Sequence, residues 1–262
     1  MATGPRIDLA GDVITLSLSG PLTLHRVPEV RGLLLRCLTE CPAALVVDLS
    51  DLVVDSDLPL AVFPAVARRV RAWPGAAPIL LCVPPGPVAD RLARWRRRRY
   101  LTVHGSRDEA LAAVGDPYLA PAVRAELPFQ PEAQAEARRL VTEACGQWGL
   151  ADLSPPAELI VSELAGNAVR HAGPPLGLVT AARGAYLHIV ARDSSPEPPR
   201  VLAPSGGDPV VRDHGLHLVD AVATAWGWLR TAGGKAVWAT LRKEPRRSPW
   251  SKVRSLWLAG AT

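Results

Sequence analysis

Apolar and polar positions change rhythm along this chain, and each change marks an element. Residues 13–20 alternate with period two and end on Gly20-Pro21, which predicts a strand closed by a turn. Residues 27–41 carry apolar side chains at helical spacing up to Pro42, which predicts a helix. The runs 44–50, rich in β-branched and other apolar residues, and 78–83 predict strands buried on both faces. Helical patterns cover 58–73 (with Pro64 as a kink point), 87–98 and 106–114, the last capped by Ser106, and 100–104 reads as a short strand. Strands separated by helices imply a mostly parallel sheet, so residues 1–115 are expected to form an α/β domain.

Beyond "GDPYLAP" (115–121) the order is different. A strand at 124–129 is followed by helices at 131–149 and 154–172, the second with Ser154 as cap and Pro155 at its first position. Strands at 176–183 and 185–193, a helix at 215–226 and a hairpin over 227–242 turning at Gly233-Gly234 complete the pattern. This predicts an α+β sandwich over 118–242, with helices on one face of an antiparallel sheet. A Pro/Gly/Ser-rich stretch of roughly 20 residues lies between Asp193 and Gly215, and so long a loop in a compact domain is usually functional, such as a lid. The helix start at Gly215 offers free backbone N–H groups and a positive dipole end.

Composition narrows the setting. The 262 residues are 48% hydrophobic and 21% charged, which suits two globular domains. No apolar run approaches the ~18–20 residues of a membrane span. The N-terminus lacks the basic-then-apolar layout of a signal peptide, so a cytoplasmic location without membrane contact is expected. Residues 1–115 carry 14 basic and 11 acidic side chains, 116–242 carry 11 and 13, and the tail 243–262 carries five and one. That basic tail reads as flexible in its first half, with a short amphipathic docking segment as the alternative. "RWRRRRY" (94–100) superficially interleaves basic and aromatic residues as a nucleic-acid surface does, but it reads as a solvated helix end running into a strand, and no direct nucleic-acid partner is expected. The four cysteines lack a metal-binding arrangement and read as small core residues, and Trp226, Trp228 and Trp238 as packing residues.

The chemistry concentrates in "ELAGNAVRHA" (163–172). Glu163, Asn167, Arg170 and His171 fall within about 100° of helix circumference, while Leu164, Ala165, Ala168 and Val169 cover much of the rest. A core face would not carry Glu and Asn, and a solvated face would mix Lys with Glu. A polar stripe on a cleft is the alternative to a surface i,i+4 pair at Glu163 and Asn167. Asp193 reads as a site residue or a strand-ending turn residue, and His171 as a phosphate contact or an edge histidine. Carboxylate-bearing helix, strand-end Asp193, long loop and helix N-terminus together suggest a nucleotide pocket.

These elements, in this order, resemble the GHKL (histidine kinase-like) ATPase fold, most closely the anti-sigma-factor serine kinases. "ELAGNAVRHA" resembles that family's N box. The resemblance implies Glu163 as general base, Asn167 as a magnesium-holding residue, and Arg170 and His171 along the phosphates. "VARDSSPEPP" (190–199) resembles the next motif, with Asp193 accepting from the adenine amino group. "RDHGLHLVDAVATAWG" (212–227) resembles the glycine motif of the lid, acting through Gly215 and the following N–H of Leu216. "GGKAVWATL" (233–241) resembles the last strand pair, where Thr240 or a neighbour touches the nucleotide. The chain departs from the pattern at Ser194-Ser195-Pro196 and at Asp213-His214, where the family has glycines.

The first half resembles a STAS domain, the anti-sigma-factor antagonist fold, through "ALVVDLSDLVVDSDLPLAVF" (44–63). The family's phosphoacceptor serine and the following glycine are here Asp57 and Leu58, with Ser56 the nearest hydroxyl. Together the resemblances imply an ATP- and magnesium-dependent serine/threonine kinase of the anti-sigma type. Its partners would be a STAS antagonist protein, a sigma factor, or both, and a homodimer is left open. The alternative is a nucleotide-binding switch with little phosphoryl transfer. A two-component histidine kinase is disfavoured, because no dimerising helix pair with an acceptor histidine precedes the ATPase-like part.

Overall fold

The structure, a computed structural model, describes residues 5–96, 101–114, 121–199 and 215–243. Strands β1 (Arg6–Ala10) and β2 (Val13–Ser17) form a hairpin, and β3 (Gly20–Pro21) makes a small parallel pair with β5 (Leu52–Val53). Joined to β2 in parallel are β4 (Ala44–Asp48), β6 (Ile79–Cys82) and β7 (Thr102–His104), giving the sheet order β1-β2-β4-β6-β7. Neither β1 nor the β3–β5 pair is foreseen in the sequence pattern. On its free edge β1 is exposed on both faces, so its residues show no burial rhythm.

Alternation along β4 sorts the flanking helices. Leu45 and Val47 face α1 (Val27–Thr39), α2 (Val62–Val70) and α3 (Pro87–Arg96), packing with Leu34, Phe63 and Leu92. Ala44 and Val46 face α4 (Arg107–Val114), packing around Ala110. Ser106 does cap α4: its hydroxyl accepts from the Glu109 N–H at 3.2 Å, while the Glu109 carboxylate accepts from the Gly105 N–H at 2.8 Å. The single helix expected over 58–73 is instead a 3₁₀ turn, Pro59–Ala61, followed by α2. Pro64 is the third residue of α2, where no intrahelical partner awaits its missing N–H, so it produces no break.

The second sheet is antiparallel, in the order β11-β12-β10-β9-β8. Its strands are β8 (Ala122–Leu127), β9 (Leu176–Arg183), β10 (Tyr186–Asp193), β11 (Ala225–Thr231) and β12 (Gly234–Arg242). Helices α5 (Ala133–Gln147), α6 (Ser154–His171) and α7 (Gly215–Val222) cover one face, where Leu187, Ile189 and Ala191 meet Ile160, Leu164 and Val219. A 3₁₀ turn, Ala151–Leu153, leads into α6, so Ser154 is already helical and caps nothing; its hydroxyl donates to Glu158 at 2.8 Å.

The helix-free face of this sheet is covered by the first unit, a packing the sequence pattern does not reveal. Val179, Ala181, Val190, Leu229, Ala236 and Trp238 share one apolar core with α1 and α2. The described residues therefore stack as α4, first sheet, α1 with α2, second sheet, and α5 to α7. Trp73, just past α2, stacks on Trp238 with centroids 5.1 Å apart and 11° between planes. Its indole N–H donates to His188 Nδ1 at 2.9 Å. Buried Arg183 donates to the Cys41 carbonyl and to Asp12, Arg124 donates to Asp12 and the Glu40 carbonyl at 2.8 Å each, and Arg192 donates to Glu40. All four cysteines are buried free thiols. The 115–120 connection, the side chains of 94–100 and the tail beyond Lys243 lie outside the described residues.

Candidate nucleotide site

On α6 the polar stripe divides. Arg138 of α5 donates to Ser162 at 3.0 Å, and Gln134 sits so close to Gly166 that a Cβ there would collide with its amide. Glycine at 166 thus lets α5 approach, and the Ser162–Gly166–Arg170 flank is the one that faces it. The Arg170 guanidinium also lies beside Gly166. Glu163 and Asn167 follow Ser162 and Gly166 by one residue, about 100° further round, so they turn away from α5. His171 ends the helix exposed. Asn167 is only 7% exposed, yet its amide makes no hydrogen bond among the described residues, and half-buried Glu163 likewise has no ion pair there.

Alternation along β10 brings Asp193 to the same side of the sheet. Its helix-facing residues are Leu187, Ile189, Ala191 and then Asp193, while His188, Val190 and Arg192 face the first unit. The chain then meets the end of α6, where the Ser194 N–H points to the Gly173 carbonyl at 3.5 Å. Asp193 is not a free carboxylate. Its Oδ1 accepts from Lys235 Nζ at 2.9 Å and from the Ser195 N–H at 2.9 Å, and both side chains of the ion pair are 2% exposed.

Lys235 is the site residue that sequence reasoning missed. The signal was present, since a charged residue inside an apolar strand implies a buried partner. Thr240 lies on the other face of β12, with Ala236 and Trp238, opposite His188. Its hydroxyl donates to the Ala225 carbonyl at 3.2 Å. Period two therefore removes Thr240 from the nucleotide role that the resemblance implied, and turns Lys235 towards Asp193 instead. Gly215 begins α7, and the Leu216 side chain is buried in the helix-side core, leaving only backbone for a ligand. The loop 200–214, with Asp213 and His214, lies outside the described residues.

Asp57 belongs to the other unit. Arg91 of α3 donates to its carboxylate at 2.9 Å, and Ser56 beside it is exposed. The second sheet stands between that unit and α6. Two of the grooves among the described residues lie on the α1 side of the second sheet. One of about 320 Å³ lies between α1 and α2 with Arg31, Arg68 and Arg69 on its walls. The other, of about 280 Å³, lies on the α1 side of the Asp193 strand end, with Arg36, Glu126 and Arg192. Among the described residues no helix is long and apolar enough to cross a membrane, and no three His, Cys, Asp or Glu side chains group as metal ligands.

No protein-family model and no curated protein matches the chain. Among solved structures, an anti-sigma factor antagonist from Mycobacterium paratuberculosis is similar at 18% identity over 43% of this chain and 93% of that one, with a TM-score of 0.38. The anti-sigma factor antagonist SpoIIAA in its unphosphorylated form is similar at 15% identity over 42% and 95%, with a TM-score of 0.33. The RsbU and RsbW domains of Rv1364c from Mycobacterium tuberculosis are similar at 19% identity over 47% of this chain and 32% of that one, with a TM-score of 0.34. All three scores lie below 0.5, too low to carry a function across.

Proposed function

We propose that this chain is a partner-switching regulator of the anti-sigma type, whose helix-covered unit binds ATP with magnesium and phosphorylates a serine on a separate STAS-type antagonist, thereby controlling a sigma factor. The observation that carries the reading is Asn167: an amide 7% exposed and unpartnered among the described residues, on the α6 flank that also bears Glu163. Little exposed and without a protein partner among the described residues, this amide is available to a ligand. Asn167 would hold magnesium on the phosphates, and Asp193 would accept from the base. Magnesium-ATP, when bound, supplies the transferable phosphoryl group and the neutralising charge. Half-buried Glu163 would accept the proton of the incoming hydroxyl. The intervening second sheet favours an acceptor on another molecule over Asp57 of the same chain.

One observation favours a second reading, a nucleotide-binding switch without transfer: Asp193 Oδ1 is already held twice, and Ser194-Ser195-Pro196 follows it in place of glycines. Magnesium-ATP titration of the full chain, followed by transfer of labelled phosphate to STAS proteins, separates the two. Wild type is expected to bind and transfer. Glu163→Ala keeps its affinity and transfers about 10²–10⁴-fold more slowly, the usual contribution of a general base, whereas Asn167→Ala loses the magnesium-dependent part of binding. Binding without transfer leaves the switch, and no binding at all sinks both readings.

A further inference from the structure

We infer that Lys235 is a positioning residue for base recognition, fixing Asp193 so that Oδ2 is the oxygen presented to the exocyclic amino group of a purine. The inference rests on the ATP-binding reading above and deepens it. Along the β10–β12 ladder the helix-facing cross-strand pairs are apolar: Leu187 with Leu241, Ile189 with Ala239, and Ala191 with Val237. The next pair on that face is Asp193 with Lys235. A buried ion pair stabilises a fold no better than an apolar pair of similar volume, because both charges lose their hydration. A charge pair at the end of an otherwise apolar row therefore points to a use beyond holding the strands.

The local geometry shows what is being held. Two donors, Lys235 Nζ and the Ser195 N–H, converge on the single oxygen Oδ1, each at 2.9 Å. An ionised carboxylate has about four acceptor sites, so this arrangement fixes the plane of the group and keeps Oδ2 for another donor. Gly234 makes the close packing feasible. Its φ of +151° suits glycine, and a Cβ there would collide with the Asp193 carbonyl oxygen. Turn, strand and ammonium together set one carboxylate in one orientation.

The experiment uses the full-length protein and two ligands, ATP and purine riboside 5′-triphosphate, which differ by the 6-amino group alone. Wild type is expected to bind ATP about ten- to a hundredfold more tightly, the range for an unmade hydrogen bond in a buried site. In Lys235→Met, where the carboxylate is free to turn, that ratio falls to about threefold or less. Lys235→Gln keeps an N–H donor for Oδ1 and is expected to retain most of the ratio, and if the Met variant does not fold, Lys235→Ser, too short to reach Oδ1, is expected to lose it and takes its place in the test. A merely structural lysine would weaken both ligands equally, so an unchanged ratio in Lys235→Met, or in Lys235→Ser where that replaces it, overturns the inference. Wild type that binds both nucleotides with one affinity overturns it while leaving the proposed function standing. Wild type that binds neither removes the proposed function as well.

Discussion

The two faces of the second sheet use polar residues in opposite ways. On the face towards the first unit, polar side chains are spent on partners: Trp73 on His188, Arg183 on Asp12 and the Cys41 carbonyl, Arg124 on Asp12 and Glu40. On the helix-covered face Asp193 and Lys235 are spent on each other, but Asn167, Glu163 and the buried Thr180 hydroxyl have no partner among the described residues. The difference separates polar groups that build the protein from polar groups kept for a ligand. Its consequence is that removing a spent group should cost stability and leave binding alone, whereas removing an unspent one should do the reverse.

The largest effect is expected at Trp73. Buried to 3% exposure, it stacks on Trp238 and donates to His188, so Trp73→Ala leaves both a cavity and an imidazole without its donor. A loss of about 3–5 kcal/mol in denaturant unfolding is expected, with nucleotide affinity unchanged, since a whole sheet separates the two places. A small loss would mean that the two units scarcely depend on this contact.

Acid should attack the same face next. Burial first, then the Arg183 and Lys243 charges, push the His188 imidazole from 6.5 down to about 3. Below pH 6.5 the unfolded chain takes up a proton that the folded chain refuses, so stability is full above that pH and falls as pH drops towards 3. Between pH 8 and pH 5 this one group accounts for about 2 kcal/mol, at roughly 1.4 kcal/mol per pH unit once below 6.5. Its Nδ1 accepts from the Trp73 indole, so the neutral ring carries its hydrogen on Nε2, and a second proton on Nδ1 would break that bond without gaining another. The slope should flatten in His188→Gln, which can still accept from Trp73, and urea titrations of both proteins across that range test it.

The opposite behaviour is expected at Asn167. Asn167→Leu replaces an unpartnered buried amide by an apolar group of similar volume, so stability should stay level or rise by up to about 1 kcal/mol. Magnesium-dependent nucleotide binding should be lost in the same variant. If melting shows instead a loss of several kcal/mol, Asn167 is a structural residue and the contrast between the faces fails.

What could be read from the sequence follows the same division. Strands β2, β4, β6, β9 and β10 and helices α1, α5 and α6 announce themselves because burial on one or both faces imposes a rhythm, and β1 stays silent because neither of its faces is buried. The α6 stripe was legible because Glu and Asn are out of place beside Leu164 and Ala168. Its division was not, since it depends on Gln134 and Arg138 arriving from another helix. Nor was the interface: Trp73, His188 and Trp238 are far apart in sequence, and nothing local distinguishes a tryptophan that packs within a unit from one that packs between two. Thr240 was misassigned for a simpler reason, that a motif match does not count parity along a strand.

The smallest effect is expected at the Arg91–Asp57 pair, which tests the separation of the two units. Both side chains are about one-third exposed, so the ion pair is screened, and Arg91→Ala should cost less than about 1 kcal/mol and leave nucleotide affinity unchanged. Its importance is chemical. Asp57 has no hydroxyl, so wild type incubated with magnesium-ATP should gain no phosphate within residues 1–115. Asp57→Ser restores a hydroxyl beside a guanidinium that would pair readily with a phosphate. Because the second sheet stands between this loop and α6, any phosphate on Asp57→Ser must come from another molecule, so its rate per molecule should rise with protein concentration. Intact-mass measurements at two concentrations decide this. Phosphate on Ser56 of the wild type, or a concentration-independent rate in the variant, would mean that the loop reaches the α6 flank within one chain and that the sheet does not keep the two chemistries apart.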